Sequence, residues 1–201
     1  MRSSEVTREK ILEAAEKVFA EKGYWGARVD EIAAEAHANK RMIYVHFGNK
    51  ETLYITVLKI VYSHLAEIEK NINTAISPEK AIENFVYAYF DFLCENESFV
   101  KLIMWENLNE AKFIDPSGTG TIKNDSVKLL RSILRRGKAD GIFKADIDEE
   151  EIIFAMNMFV FSYFSNMYTM PKMMDIDLKT KENMPKRAKM VTEMILSQIK
   201  Q

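Results

Sequence analysis

Two short helical segments joined by only three residues constrain the fold of this chain more than any other feature. Apolar residues recur at helical spacing from 29 to 36, and Ile43 and Phe47 lie four residues apart further on. Residues 37–39 connect the two segments, and Asn39 is a residue type that commonly caps the N-terminus of a helix. The spacing predicts a helix-turn-helix unit, preceded by one more helix.

The second helix of this unit is basic. Lys40 and Arg41 occupy its first turn, and no acidic residue occurs between Ala36 and Lys50. Long basic side chains at the start of a short helix suit the DNA major groove, where they reach the edges of base pairs. The alternative is a solvated basic helix in an unrelated bundle. The overall charge does not distinguish between these two interpretations, because the formal charge is only +1 for residues 1–50 and −3 for the remainder.

The rest of the chain is also predicted to be helical. Apolar stripes run from 53 to 68, and again from a helix start at Ser77-Pro78 as far as Leu93. Gly occurs 7 times and Pro 4 times in 201 residues, whereas Met and Phe each occur 12 times, which favours helices around a wide apolar interior. The segment 115–120 predicts a loop. The sequence therefore indicates an all-α protein.

Two further segments have a structural interpretation. The basic run from Lys128 to Lys138 predicts a solvated face, because no turn-linked pair of helices accompanies it. The uncharged stretch from Ile152 to Met170 is nearly long enough to cross a membrane, but its Asn, Ser and Thr residues favour a helix buried in protein and ended by Pro171. A helix that is apolar all round must be covered on every side, in part by a partner subunit.

No catalytic or metal-binding motif occurs in the sequence. His37, His46 and His64 are not spaced as metal ligands, so we expect no enzyme, metal or cofactor. Cys94 is the only cysteine, and the first ten residues lack the apolar run of a signal peptide. We therefore expect a reducing, cytoplasmic location and no association with a membrane.

The N-terminal pattern resembles a known family. The segments Val29–Ala33, Ile43–Phe47 and Asn49–Leu53 match the N-terminal domain of TetR/AcrR-type transcriptional repressors in residue type and spacing over roughly 7–54. Arg28 and His37 depart from the Thr and Gly common at those positions, and Arg41 and Met42 replace the small residues often found there. The resemblance implies a DNA-binding domain over 1–47 and an effector-binding and dimerisation domain over 48–201.

This resemblance and the residue pattern together predict three sites. Residues expected to read bases are Lys40, Arg41 and Met42, and those expected to contact phosphates are Arg28, Tyr44, His46 and Lys50. Residues expected to line an effector pocket are Tyr62, Phe85, Tyr89, Met104, Trp105, Asn157 and Phe161. Residues expected at a dimer interface are Phe159, Tyr163, Met167, Val191, Met194 and Ile195. We expect Trp25, the other tryptophan, to lie far from the pocket.

The function predicted from these sites is transcriptional regulation. We expect a homodimeric repressor that binds a palindromic double-stranded operator and is released by a small hydrophobic effector. A helical enzyme or a lipid carrier with purely structural N-terminal helices is the alternative. An activator, or a regulator without an effector, is a third interpretation, which depends on whether the interior between 58 and 164 is open or filled.

Overall fold

The structure, a computed structural model, describes residues 2–70, 72–114, 125–178 and 183–201. Within these ranges the chain forms ten α-helices, and the prediction of an all-α fold is confirmed. Their bounds are α1 Arg2–Gly26, α2 Val29–Glu35, α3 Lys40–Phe47, α4 Lys50–Lys70, α5 Pro78–Glu95, α6 Glu97–Leu108, α7 Asp125–Ala139, α8 Glu149–Ser165, α9 Met170–Met174 and α10 Asn183–Ile199. The loop predicted at 115–120 lies outside the described residues.

The helices divide into two compact units. The first unit comprises Met1–His64 and Glu97–Lys123, and the second comprises Leu65–Asn96 and Asn124–Gln201. These units differ from the predicted division at residue 47, because most of α4 and all of α6 belong with the helix-turn-helix segment. The assignment of functions to 1–47 and 48–201 stays a prediction.

The first unit is built around α1. Phe19 is fully buried on this helix, and α2 and α3 pack against it through Ile32 and Ile43, which are also fully buried. The apolar spacing that predicted the three helices therefore points into one core. At Gly23 the backbone of α1 enters the left-handed region, with φ at 67°, and the helix is kinked there.

Helix α6 packs along α1 in the first unit. The ring of Trp105 lies so close to Gly23 that an added Cβ would stand 2.7 Å from a ring carbon. The next residue, Glu106, is fully buried. Its carboxylate accepts hydrogen bonds from the Tyr54 hydroxyl at 2.8 Å and from the Phe113 backbone N–H at 3.1 Å. A buried carboxylate that is satisfied in this way ties α6 to the start of α4.

The second unit has α5 in contact with α7, α8 and α10. Ser77 caps α5 and Pro78 occupies its first turn, as the sequence predicted. The first turn of α8 pairs with part of the basic face of α7, since Arg131 pairs with Glu150 at 2.7 Å and Arg135 with Glu149 at 2.9 Å. Part of the positive charge on α7 is therefore balanced by carboxylates of the same unit.

The prediction for the uncharged stretch after residue 152 was partly wrong. Helix α8 ends at Ser165, and Pro171 lies in the first turn of α9. At this end of α8 the Asn166 side-chain amide donates to the Ser162 carbonyl at 2.9 Å. No helix in the described ranges is both long enough and apolar enough to cross a membrane.

Candidate nucleic-acid interface

Local sequence fixes the start, the end and the orientation of α3. The Asn39 side chain accepts a hydrogen bond from the Arg41 backbone N–H at 2.8 Å, and Gly48 ends the helix with φ at 75°. Ile43 and Phe47 are buried against the rest of the first unit. Since these two anchors lie on one side, the opposite side of α3 faces outward.

The outward face of α3 carries Arg41, Tyr44 and Val45. Arg41 is exposed, and Tyr44 and Val45 are exposed to 45% and 64%. Val45 is not among the residues predicted to read bases, although it lies four residues after Arg41 and therefore on the same face. If this face enters the major groove, Val45 would offer an apolar contact to a thymine methyl group and Arg41 a hydrogen-bonding contact to base edges.

The other two residues predicted to read bases, Lys40 and Met42, are held by contacts within the protein. The Lys40 ammonium pairs with the Asp30 carboxylate at 2.8 Å, and this hydrogen bond raises the pKa of Lys40. Met42 is half-buried and lines a cleft between α3 and the start of α1. The geometry therefore favours Arg41 over Lys40 and Met42 as the residue that reads bases, and all three roles stay predictions.

The residues predicted to contact phosphate lie around α3. Arg28 is exposed at the N-cap of α2, where its backbone N–H donates to the Glu31 carboxylate at 3.2 Å. The Lys50 ammonium lies 4.6 Å from the centre of the Tyr24 ring, and burial lowers the pKa of Lys50. In the part of the chain that the structure describes, Nε2 of His46 is buried without a hydrogen-bond partner.

Half of the predicted dimer-interface residues face the core of their own protomer. Tyr163, Val191 and Ile195 are buried in the second unit, and the Tyr163 hydroxyl donates to the Leu178 carbonyl at 2.5 Å. These three residues are therefore withdrawn from the predicted interface, because a packed core side chain offers no surface to a partner. Phe159 and Met167 are half-buried, and Met194 is exposed.

The predicted effector residues divide between the two units. In the first unit the Tyr62 ring packs edge-on against Phe99 at 5.4 Å, and Met104 is 40% exposed. The Trp105 indole N–H donates to the Ala20 carbonyl at 3.2 Å. The Trp105 ring also covers Gly23, so this side chain packs against α1. Trp105 therefore lies near Trp25, which was predicted to be far from the pocket residues.

The remaining effector candidates belong to the second unit. The rings of Phe85 and Tyr89 are buried with their centres 6.0 Å apart, and Phe161 is half-buried. Asn157 satisfies its amide within its own helix by donating to the Ile153 carbonyl at 2.9 Å. Among the described residues, no group of three His, Cys, Asp or Glu side chains is placed to hold a metal ion.

A helix-turn-helix with a basic, outward-facing second helix, followed by a larger helical part, defines a class of DNA-binding transcriptional regulators. Residues 11–57 match the family described as bacterial regulatory proteins of the tetR family, and residues 78–195 match the tetracyclin repressor-like C-terminal domain. The chain belongs to the TetR family of transcriptional regulators.

Individual relatives agree with this assignment. The chain is 32% identical over 178 residues to the HTH-type transcriptional repressor NicS of Pseudomonas putida, which covers 88% of this chain and 84% of that protein. It is 30% identical over 155 residues to an HTH-type transcriptional repressor of Streptomyces coelicolor, with 77% of each chain covered.

A similar fold is found in the transcriptional regulator FadR of Bacillus subtilis, solved in complex with stearoyl-CoA. The TM-score is 0.70 at 24% identity, covering 94% of this chain and 98% of that chain.

Proposed function

We propose that this protein is a homodimeric repressor that binds a two-fold symmetric operator through α3 of each protomer and leaves it when a small apolar effector binds. The observation that carries the proposal is the outward face of α3, where Arg41, Tyr44 and Val45 are exposed on a helix without acidic residues. The two relatives named as repressors support repression rather than activation. Regulators of this kind act in the cytoplasm and catalyse no reaction.

A revised dimer face supports the two-fold arrangement. Helix α8 exposes the stripe Phe154 and Met158, and α10, which packs against α8, exposes Met190 and Met194. Large apolar side chains exposed on neighbouring helices are typical of a surface that a partner covers. The occupant we propose is the same surface of a second copy, because most soluble oligomers are two-fold symmetric homodimers.

The effector is proposed to be apolar because the candidate residues of the second unit are mainly aromatic. Three of its four candidates, Phe85, Tyr89 and Phe161, carry aromatic rings, and the fourth, Asn157, is polar. An effector that binds better to the conformation with misplaced recognition helices weakens DNA binding by the same factor. Trp105 reports on this step through its contact with α1, so Trp25→Phe isolates a fluorescence signal from α6.

Footprinting on DNA that flanks the protein's own gene tests the proposal. We expect protection of two half-sites related by a two-fold axis, with an affinity that falls as salt is raised. If no duplex shows salt-sensitive binding, the repressor proposal is wrong and the helical enzyme or carrier becomes the better interpretation. Transcription that rises when the operator is occupied would assign an activator instead.

A further inference from the structure

A cleft of about 550 Å³ opens beside the start of the recognition helix, within the first unit. Its walls come from the first turns of α1, the turn between α2 and α3, and the N-terminal end of α3. The lining includes Thr7, Lys10, His37, Asn39 and Met42, and it contains no acidic residue. None of the residues at which the sequence predicted phosphate contact lines it.

Lys10 gives this cleft a positive charge, and His37 adds an imidazole ring. Both side chains are exposed, and in the described residues neither makes a salt bridge. A neighbouring cleft of about 300 Å³ shares these two residues and is also lined by Glu13, Lys17 and Glu35. Glu35 is paired with Lys17 at 2.5 Å, and Lys10 is the only lysine that lines the acid-free cleft.

His37 lies in the turn of the helix-turn-helix with φ at 48°, a conformation in which most side chains are strained. Its backbone N–H donates to the Ala34 carbonyl at 3.1 Å, so the backbone is held while the imidazole ring stays exposed. A Gly at position 37 would relieve the backbone strain, but the cleft would then lack the imidazole ring. The protein therefore keeps an imidazole in the cleft although the backbone conformation is strained.

The position of the cleft, beside the start of the recognition helix, indicates which ligand it binds. When the N-terminal end of a recognition helix enters the major groove, the sugar-phosphate backbone at the edge of that groove passes beside the helix. Here the neighbouring surface is the cleft at Asn39 and Met42, with Lys10 on one wall and His37 on another. An ammonium group and an imidazole in an acid-free cleft suit a phosphodiester, which is an anion with several hydrogen-bond acceptors.

We propose that Lys10 and His37 form a phosphate clamp that holds the DNA backbone in the cleft between α1 and the turn of the helix-turn-helix. The clamp rests on the DNA-binding function and adds two residues to it. It positions α3 without reading sequence, because phosphate contacts are the same for every base pair.

The test measures affinity for operator and random duplex DNA across a salt series. Lys10→Gln is expected to lower both affinities roughly tenfold at 0.1 M salt and to reduce the salt slope by about 0.9, the value for one phosphate contact. Lys59→Gln is the matched control, because Lys59 is exposed on α4 about 13 Å along the helix from Lys50. It is expected to change neither quantity.

His37→Gly completes the test and is expected to fold, because Gly removes the strain in the turn. Compared with the wild type, this variant should bind operator and random DNA more weakly and by about the same factor, because phosphate contacts are the same for every base pair. The clamp is wrong if Lys10→Gln and His37→Gly keep wild-type affinities and slopes, or if they weaken operator binding alone. A wild-type protein that binds no DNA would instead overturn the proposed function.

Discussion

Gly23 makes a contact that any other residue type would disturb. Its φ is 67°, and an added Cβ would stand 2.7 Å from the Trp105 ring. Gly23→Ala is therefore expected to lower the free energy of unfolding through backbone strain of about 1–3 kcal/mol and through overpacking of similar size. Urea unfolding with fluorescence detection measures the loss.

Gly48→Ala is the matched control for this prediction. Gly48 also has a positive φ, at 75°, but nothing lies within 4 Å of its added Cβ. This variant is expected to show the backbone strain alone. Equal losses for the two variants would show that the Trp105 ring gives way without cost and does not lock α6 onto α1.

The free energy of unfolding is expected to depend on pH because of Tyr54 and Tyr62. Burial, followed by the hydrogen bond to Glu106, raises the pKa of Tyr54 above its ordinary value, and burial raises the pKa of Tyr62 to about 12. The folded protein thus holds these phenol protons more tightly than the unfolded chain. Stability is therefore fully present below about pH 10 and falls above it, by up to about 1.4 kcal/mol per pH unit for each group.

Urea unfolding at a series of pH values from 8 to 11 checks this dependence. Tyr54→Phe is expected to make the decline above pH 10 shallower, because one of the shifted groups is gone. At pH 8 the same variant should cost about 1–3 kcal/mol, since the buried Glu106 carboxylate loses a donor. An unchanged slope in Tyr54→Phe would exclude Tyr54 as a source of the decline.

Arg41 and Val45 are expected to contribute to recognition in different ways. Arg41→Ala should lose about 1–3 kcal/mol of discrimination at one base pair, if its guanidinium reads guanine. Val45→Ser should weaken operator binding while leaving random-DNA affinity and the salt slope unchanged, because it removes only an apolar contact. Binding titrations against single-base operator variants measure both effects. Equal weakening on operator and random DNA would remove either residue from the base-reading set.

At the scale of the helix, α2 combines a weak cap with an exposed charge. Arg28 occupies its N-cap without a side-chain capping hydrogen bond, although Glu31 accepts from the Arg28 backbone N–H. Arg28→Thr is expected to stabilise the protein by about 0.5–1 kcal/mol by supplying a cap. The same change should weaken binding to all DNA and flatten the salt slope, if Arg28 contacts a phosphate. Thermal unfolding and salt-dependent titration separate the two effects.

The helices that sequence predicted best are those with local signals at their ends. Asn39 and Gly48 bound α3, and Ser77 and Pro78 start α5, as their residue types indicate. The end of α8 was missed because Ser165 and Asn166 give no strong stop signal, whereas Pro171 does. Local signals therefore determine helix ends more reliably than hydrophobicity does.

The candidate site was harder to predict than the helices that carry it. The outward position of Arg41 follows from the buried Ile43 and Phe47, because all three share one short helix. The cleft beside Lys10 and His37 depends on how α1 packs against the turn, and no local pattern encodes that packing. The burial of Ile195 was also invisible, since an apolar stripe on α10 fits a core and an interface equally well.

At the scale of the whole molecule, the proposed binding to a two-fold symmetric operator requires the proposed dimer. A charge at Phe154 should separate the protomers, because this ring is 62% exposed on α8 and its burial against a partner would leave the charge unpaired. Ile195, at 3% exposure, is unsuitable for this test since a charge there would disrupt the protomer core. Phe154→Glu therefore tests the interface without entering the core.

Sedimentation and footprinting of Phe154→Glu give the outcome. We expect a monomer whose helical circular dichroism matches the wild type and which binds the full operator no better than a single half-site, because two linked recognition helices gain affinity from each other. Phe154→Leu, the matched control, keeps an apolar surface and should remain a dimer with wild-type binding. If Phe154→Glu remains a dimer, the interface lies away from the exposed stripe of α8. If it forms monomers that still protect both half-sites equally, operator recognition does not require dimerisation.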